Sequence, residues 1–151
     1  MSVKTTEQME NHMSLKFDAK SVNEGFARMA VAAFILELNP TLEEIADIKT
    51  AVSEAVTNSI VHGYPDGDGV VEVTCEYVKQ NLCIQISDQG IGISNIDEAM
   101  QPFFTTKPKM ERSGMGFAFM EAFMDTLEVE SSTGKGTRVK MTKHIQGECE
   151  E

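Results

Sequence analysis

Along the first half of the chain the apolar positions change period. From Ser14 to Lys20 (SLKFDAK) they alternate, which predicts a strand. Ser21-Val-Asn-Glu24 has the form of a capping box and opens a helix with Val22, Phe26, Met29, Ala30, Ala33 and Phe34 on one face. Asn39-Pro40 stops that helix. Thr41-Leu-Glu-Glu44 repeats the cap and starts a second helix running to about His62. Ile45, Ile48, Val52, Ala55, Val56 and Ser59 turn to the core, and Gly63 ends the run.

The period then falls to two. Val71, Val73, Cys75 and Tyr77 alternate with Glu72, Thr74 and Glu76; after Lys79-Gln-Asn81, Leu82, Ile84 and Ile86 alternate with Cys83, Gln85 and Ser87. Two such runs predict an antiparallel hairpin with one face buried. From Ile93 to Ser113 the pattern lapses, and the stretch reads as a lid, because a loop that long in a compact domain is usually functional. A helix from about Gly114 to Met124 and strands near Leu127 to Ser131 and Thr137 to Lys143 complete the order. Strands gathered in hairpins, with helices able to cover one face, predict an α+β two-layer sandwich. The expected organisation is a flexible extension over 1–13, one domain over 14–144 and an acidic tail over 145–151.

Composition narrows the class of partner. The 151 residues suit one domain that needs no disulfides to stabilise its core. Twenty-four Asp and Glu against 13 Lys and Arg leave a formal charge of -11, a field that repels nucleic acid and anionic lipid. Small molecules, cations or proteins are therefore the expected ligands. No apolar run reaches the roughly 20 residues that span a bilayer. The opening MSVKTTEQMENH lacks the apolar core of a signal peptide, so a cytoplasmic protein is expected. Cys75, Cys83 and Cys149 show neither CxxC nor His-paired spacing, and His12, His62 and His144 are scattered. Any metal is expected to arrive with a ligand. The turn YPDGDG (Tyr64 to Gly69) lacks the ligand spacing of a calcium loop.

Three short motifs carry candidate chemistry. Asp88-Gln-Gly-Ile-Gly92 follows a strand end, but it lacks the third glycine of a dinucleotide fingerprint and does not open a helix. Gly134-Lys-Gly-Thr137 sits in a hairpin turn without the upstream glycine of a P-loop. Glu54, Asn58 and His62 recur every four residues and make one polar stripe along the second helix, beside its apolar face. Asparagine is a poor helix-interior residue, and its neutral oxygen suits a hard divalent cation carried in by phosphates. In Arg112 to Phe117 (RSGMGF), two glycines open a helix directly after the lid, where bare backbone N–H groups favour an anion.

Together these motifs resemble the ATPase superfamily shared by DNA gyrase, heat-shock chaperones, mismatch-repair proteins and histidine kinases. Glu54 and Asn58 match its N box, Asp88-x-Gly-x-Gly92 its first glycine box and Gly114-Met-Gly116 its second. Pro102 to Lys107 (PFFTTK), with Thr105 and Thr106, matches the lid segment of its kinase branch. The likeness spans about Ser14 to His144 and implies a histidine-kinase-like fold with a mixed, mostly antiparallel sheet. Within the superfamily the chain looks like the small serine protein kinases of sporulation that double as anti-sigma factors.

That resemblance implies ATP or ADP with Mg2+ as the ligands. Asp88 would accept a hydrogen bond from the adenine amino group, Gly90 and Gly92 would let the chain pass close to base and sugar, and Thr137 would stand beside adenine. Asn58 would hold Mg2+, His62 would join the nucleotide-binding set, and Lys107, Arg112, Ser113, Gly114, Met115 and Gly116 would hold the triphosphate. Glu54 would be the general base for a serine hydroxyl. The resemblance further implies a sigma factor as one partner and an anti-anti-sigma protein as substrate, with Arg28 contacting both. It implies a homodimer pairing through the first strand and first helix, where Met29, Val31, Phe34 and Ile35 are surplus apolar residues, though core packing explains them equally well. Two rival readings are a nucleotide-gated binding module without catalysis and a chaperone-like ATPase fragment.

Overall fold

A computed structural model describes residues 10–100 and 116–148. Five strands, β1 (Glu10–Asp18), β2 (Val70–Val78), β3 (Asn81–Asp88), β4 (Thr126–Ser131) and β5 (Thr137–His144), form one sheet in the order β1-β2-β3-β5-β4. All four pairings are antiparallel. The helices are α1 (Val22–Phe34), α2 (Leu42–Asn58), α3 (Ile96–Ala99) and α4 (Gly116–Phe123), and α2 packs between α1 and α4. A 3-10 turn, Ile35–Leu38, extends α1, and a π-helical turn, Ser59–Gly63, extends α2.

The alternation read from the hairpin holds residue by residue. Val71, Val73, Cys75 and Tyr77 of β2 and Leu82, Ile84 and Ile86 of β3 are buried, and Val139 and Met141 of β5 continue that face. Ile48, Val52, Ala55 and Val56 of α2 are fully buried against it. Asp88 is the last inward-facing position of β3, so a carboxylate stands where the alternation would place an aliphatic side chain.

Four expectations change. The strand expected from Ser14 begins at Glu10, because Glu10 to Met13 pair with Val78 to Cys75, so part of the expected extension belongs to the sheet. The box at Ser21 does not form: Ser21 has helical dihedrals (φ -55, ψ -30) where an N-cap needs extended backbone, and Glu24 lies 3.6 Å from Arg28 instead. The face of α1 is rotated. Ala27, Val31, Ile35 and Leu38 enter the core, whereas Val22, Phe26 and Met29 are more than half exposed. Both stripes satisfy a 3.6-residue period, and small Ala27 is what lets the helix lie close on its neighbours. Finally, α3 interrupts the stretch expected as an open lid. Asn95 caps it by accepting the Glu98 N–H at 3.0 Å.

At α2 the box is complete: Thr41 Oγ1 accepts the Glu44 N–H (3.1 Å), and Glu44 Oε1 accepts the Thr41 N–H (3.0 Å). The same carboxylate also accepts the N–H groups of Gln146 (2.7 Å) and Gly147 (3.1 Å), while Ile145 is wholly buried. The first residues of the expected tail are thus stitched to the start of α2. Burial alone would raise the Glu44 pKa, but the N–H groups of Thr41, Gln146 and Gly147 together outweigh it and hold the carboxyl below its ordinary value. A carboxyl lowered in the folded state stabilises above its unfolded pKa, and that contribution disappears as pH falls through the folded one. Glu44→Gln places an amide NH2 against one of these donors and is expected to cost about 1–3 kcal/mol at neutral pH. In chemical denaturation, the gap between wild type and variant should close as the solution is acidified; a gap independent of pH would place the effect elsewhere.

Candidate functional site

The polar stripe of α2 ends where the helix widens. After Asn58 the backbone enters the π turn, a distortion found often at functional sites, and Ser59 and His62 come to face the end of β3. Between them lies a cavity of about 310 Å3. Its apolar lining comes from Ala55, Ile91, Ile93, Ala99, Phe117 and Val139; its polar lining includes Asn58, Ser59, His62, Asp88, Asn95, Glu98 and Thr137. A concave, mainly apolar space with a few convergent polar groups suits a flat, partly polar ligand.

Asp88 is 4% exposed. Burial pushes its carboxyl upward in pKa, opposed by the Gly90 N–H, the Ser59 hydroxyl and the Thr137 N–H, and the net direction is up. The Gly90 N–H donates to Oδ1 at 2.9 Å. Gly63 lies flat against this carboxylate, where a Cβ would sit 3.0 Å from Oδ1.

The glycines of the first box have a reason internal to the chain. A Cβ at Gly90 would stand 2.0 Å from the Gly63 carbonyl oxygen, and one at Gly92 (φ +78) would stand 2.0 Å from that of Ser132. Ile91 between them donates to Gly63 O (2.9 Å) and accepts from the Gly134 N–H (2.7 Å). Three backbone segments are therefore laced together over one side of the cavity. Ser131 adds a second lacing: its hydroxyl accepts the Ile93 N–H (2.7 Å), reaches Gly136 O at 2.9 Å and lies 2.8 Å from Thr137 Oγ1.

Of the residues singled out in the sequence, Asn58, His62, Asp88, Gly92 and Thr137 line this one cavity, and Gly90 packs beside it. Glu54 does not line it, but meets Asn58 at Gly116. A Cβ there would lie 3.0 Å from Asn58 Nδ2 and 3.3 Å from Glu54 Oε2, so the start of α4 rests directly on the stripe. Arg28 is remote on α1, beside Glu24, and its side chain is 37% exposed. Thr105, Thr106, Lys107, Arg112, Ser113, Gly114 and Met115 lie outside the described residues. Ser59, Ser131 and Tyr64 belong to the site although no motif selects them. Only Ser59 carries a signal in the sequence, as the core-facing serine that follows Asn58.

Comparison with known proteins gives three concordant findings. The family model of the histidine kinase-like ATPase domain matches residues 16–143. The anti-sigma F factor of Clostridium kluyveri is 56% identical over 134 residues, 89% of this chain and 94% of that protein. Those of Clostridium acetobutylicum (57% over 135 residues, 89% and 94%) and Clostridium perfringens (56% over 138 residues, 91% and 99%) are similarly near. The crystal structure of the RsbU and RsbW domains of a Mycobacterium tuberculosis protein superposes with a TM-score of 0.62 at 22% identity, which is a likeness of fold. The match covers 89% of this chain and 32% of that longer one.

Proposed function

This chain belongs to the histidine kinase-like ATPase family and, within it, to the anti-sigma F factors, and on that premise we propose that it transfers the γ-phosphate of ATP to a serine of an anti-anti-sigma protein and sequesters a sigma factor of the F type. The observation that carries this reading is the meeting of Glu54 and Asn58 at Gly116, beside a cavity that Asn58 and Asp88 both line. Adenine enters the cavity and donates its amino hydrogen to Asp88, with Thr137 alongside. The phosphates run toward Asn58 and the start of α4, which Gly116 brings directly onto the polar stripe. Asn58 fits Mg2+: its one neutral oxygen would hold the ion, with phosphate and water oxygens supplying the rest of what a hard cation needs. Bound there, the ion would neutralise phosphate charge. Lys107, Arg112 and the backbone of 113–116 are the further phosphate ligands, with Thr105 and Thr106 in the lid.

Glu54 acts on the acceptor. The serine oxygen attacks the γ-phosphorus, its proton passes to the Glu54 carboxylate, and the bond to the bridging oxygen breaks to release ADP. Arg28 is the point of contact for both protein partners. A homodimer is supported by β1, an edge strand of the sheet, and by the exposed apolar residues Val22, Phe26 and Met29 of α1. Among the described residues no helix is long and apolar enough to cross a membrane, and we place the protein in the cytoplasm with its partners.

A transfer assay with γ-labelled ATP, Mg2+ and the candidate anti-anti-sigma protein tests the reading. Label is expected on a serine of that protein with wild type and not with Asn58→Ala. Tight nucleotide binding without label would leave a nucleotide-gated binding module in place of a kinase.

A further inference from the structure

We infer that Tyr64 is a positioning residue for base recognition, its hydroxyl standing where the last hydrogen bond of the β2–β3 ladder would be. The inference rests on the reading of Asp88 as the group that meets the base. Lys79-Gln80 joins the two strands as a two-residue connection, so the flanking pair Val78 and Asn81 is a bonded one, and bonded pairs alternate from there. The alternation passes through Glu76–Cys83 and Thr74–Gln85 to Glu72–Ser87, and the next bonded pair would be Val70 with Gln89. The ladder stops one step short, at Val71–Asp88. The Gln89 N–H donates instead to the Tyr64 hydroxyl (2.6 Å), which donates its own hydrogen to the Val70 carbonyl (2.8 Å).

One oxygen atom is thus inserted between a donor and an acceptor that would otherwise meet. β2 and β3 are wedged apart immediately after Asp88, while the Gln89 N–H and the Val70 carbonyl both keep a partner in the hydroxyl. The splay lets the chain turn from Asp88 toward Gly90, whose N–H then reaches back to the Asp88 carboxylate. The wedge is itself fixed. Tyr64 directly follows the π turn that carries Ser59, His62 and Gly63, and its ring lies so close over Gly69 that a Cβ there would stand 2.3 Å from ring carbons. Tyr64 therefore ties the end of α2 to the end of β3, the two elements that supply the polar groups of the cavity.

The position of Asp88 should be visible in base selectivity. Inosine triphosphate keeps the ribose and phosphates of ATP but carries a carbonyl where adenine has its amino group. By calorimetric titration of the full chain, wild type is expected to prefer ATP by on the order of tenfold or more, the worth of a hydrogen bond to a charged group. Tyr64→Phe keeps the ring and removes the wedge; most of that preference should disappear while inosine triphosphate binds nearly as before. Gly69→Ala, which displaces the ring by contact, should copy the effect. A loss equal for the two nucleotides, or none, overturns the role of Tyr64 and leaves Asp88 as the reader of the base. A wild-type chain that binds both equally overturns the Asp88 reading and this inference with it.

Discussion

Glu54→Gln is expected to slow phosphoryl transfer by about 10²–10⁴-fold, the usual contribution of a general base, with nucleotide affinity nearly unchanged. The separation follows from where the side chain sits. Glu54 flanks the start of α4 next to Asn58 and is not part of the cavity lining, so the amide removes a proton acceptor without reshaping the base pocket. Glutamine also preserves length and hydrogen-bonding capacity, so the partner Glu54 has in the fold is largely kept. Single-turnover transfer, read beside ADP titration, makes the distinction. Transfer at the wild-type rate would remove Glu54 from the mechanism, and a parallel loss of ADP binding would make it a structural residue.

Gly92→Ala should be strongly destabilising, at about 2–4 kcal/mol, or roughly 5–15 °C in Tm for a chain of this size. Two costs add. Gly92 has φ +78, which an L side chain adopts at a cost of about 1 kcal/mol. Its Cβ would also stand 2.0 Å from the carbonyl oxygen and 2.7 Å from the carbonyl carbon of Ser132, backbone atoms held by the bond from Gly134 N–H to Ile91 O. Gly134→Ala is the control. Gly134 has φ +79, and a Cβ added there would meet nothing within 4 Å, so only the conformational cost, about 1 kcal/mol, should appear. Thermal unfolding of the two variants separates the terms; equal losses would show that backbone contact over the cavity contributes nothing.

Where one element has a single apolar face, the sequence is a faithful guide. β2, β3 and α2 bury the residues their periods select, and Thr41 caps where the box places it. α1 misleads because it carries two apolar stripes, and only docking against α2 and the sheet selects Ala27 and Val31 over Phe26 and Met29. Ser21 misleads because a capping box is a statement about backbone dihedrals as well as residue types, and its own are helical. The candidate site divides similarly. Asn58, His62, Asp88 and Thr137 are legible as motifs and meet in one cavity. The work of Tyr64 and Ser131 is not, since each depends on hydrogen bonds to segments distant in sequence, Gln89 in one case and Ile93 in the other.

The order β1-β2-β3-β5-β4 has a consequence for how freely the chain between β3 and β5 can vary in length. β3 and β5 pair along their whole length, from Asn81–His144 to Asp88–Thr137, so the chain that leaves β3 and returns through α3, α4 and β4 has its two ends fixed by that seam. Closing a flexible loop costs free energy only as the logarithm of its length, about 0.6 kcal/mol for a doubling. By that measure, added length between α3 and α4 would cost the sheet little as long as both helices keep their packing. On the proposed function, the residues that meet the phosphates can change in number and charge while the cavity, lined from α2, β3 and β5, stays as it is.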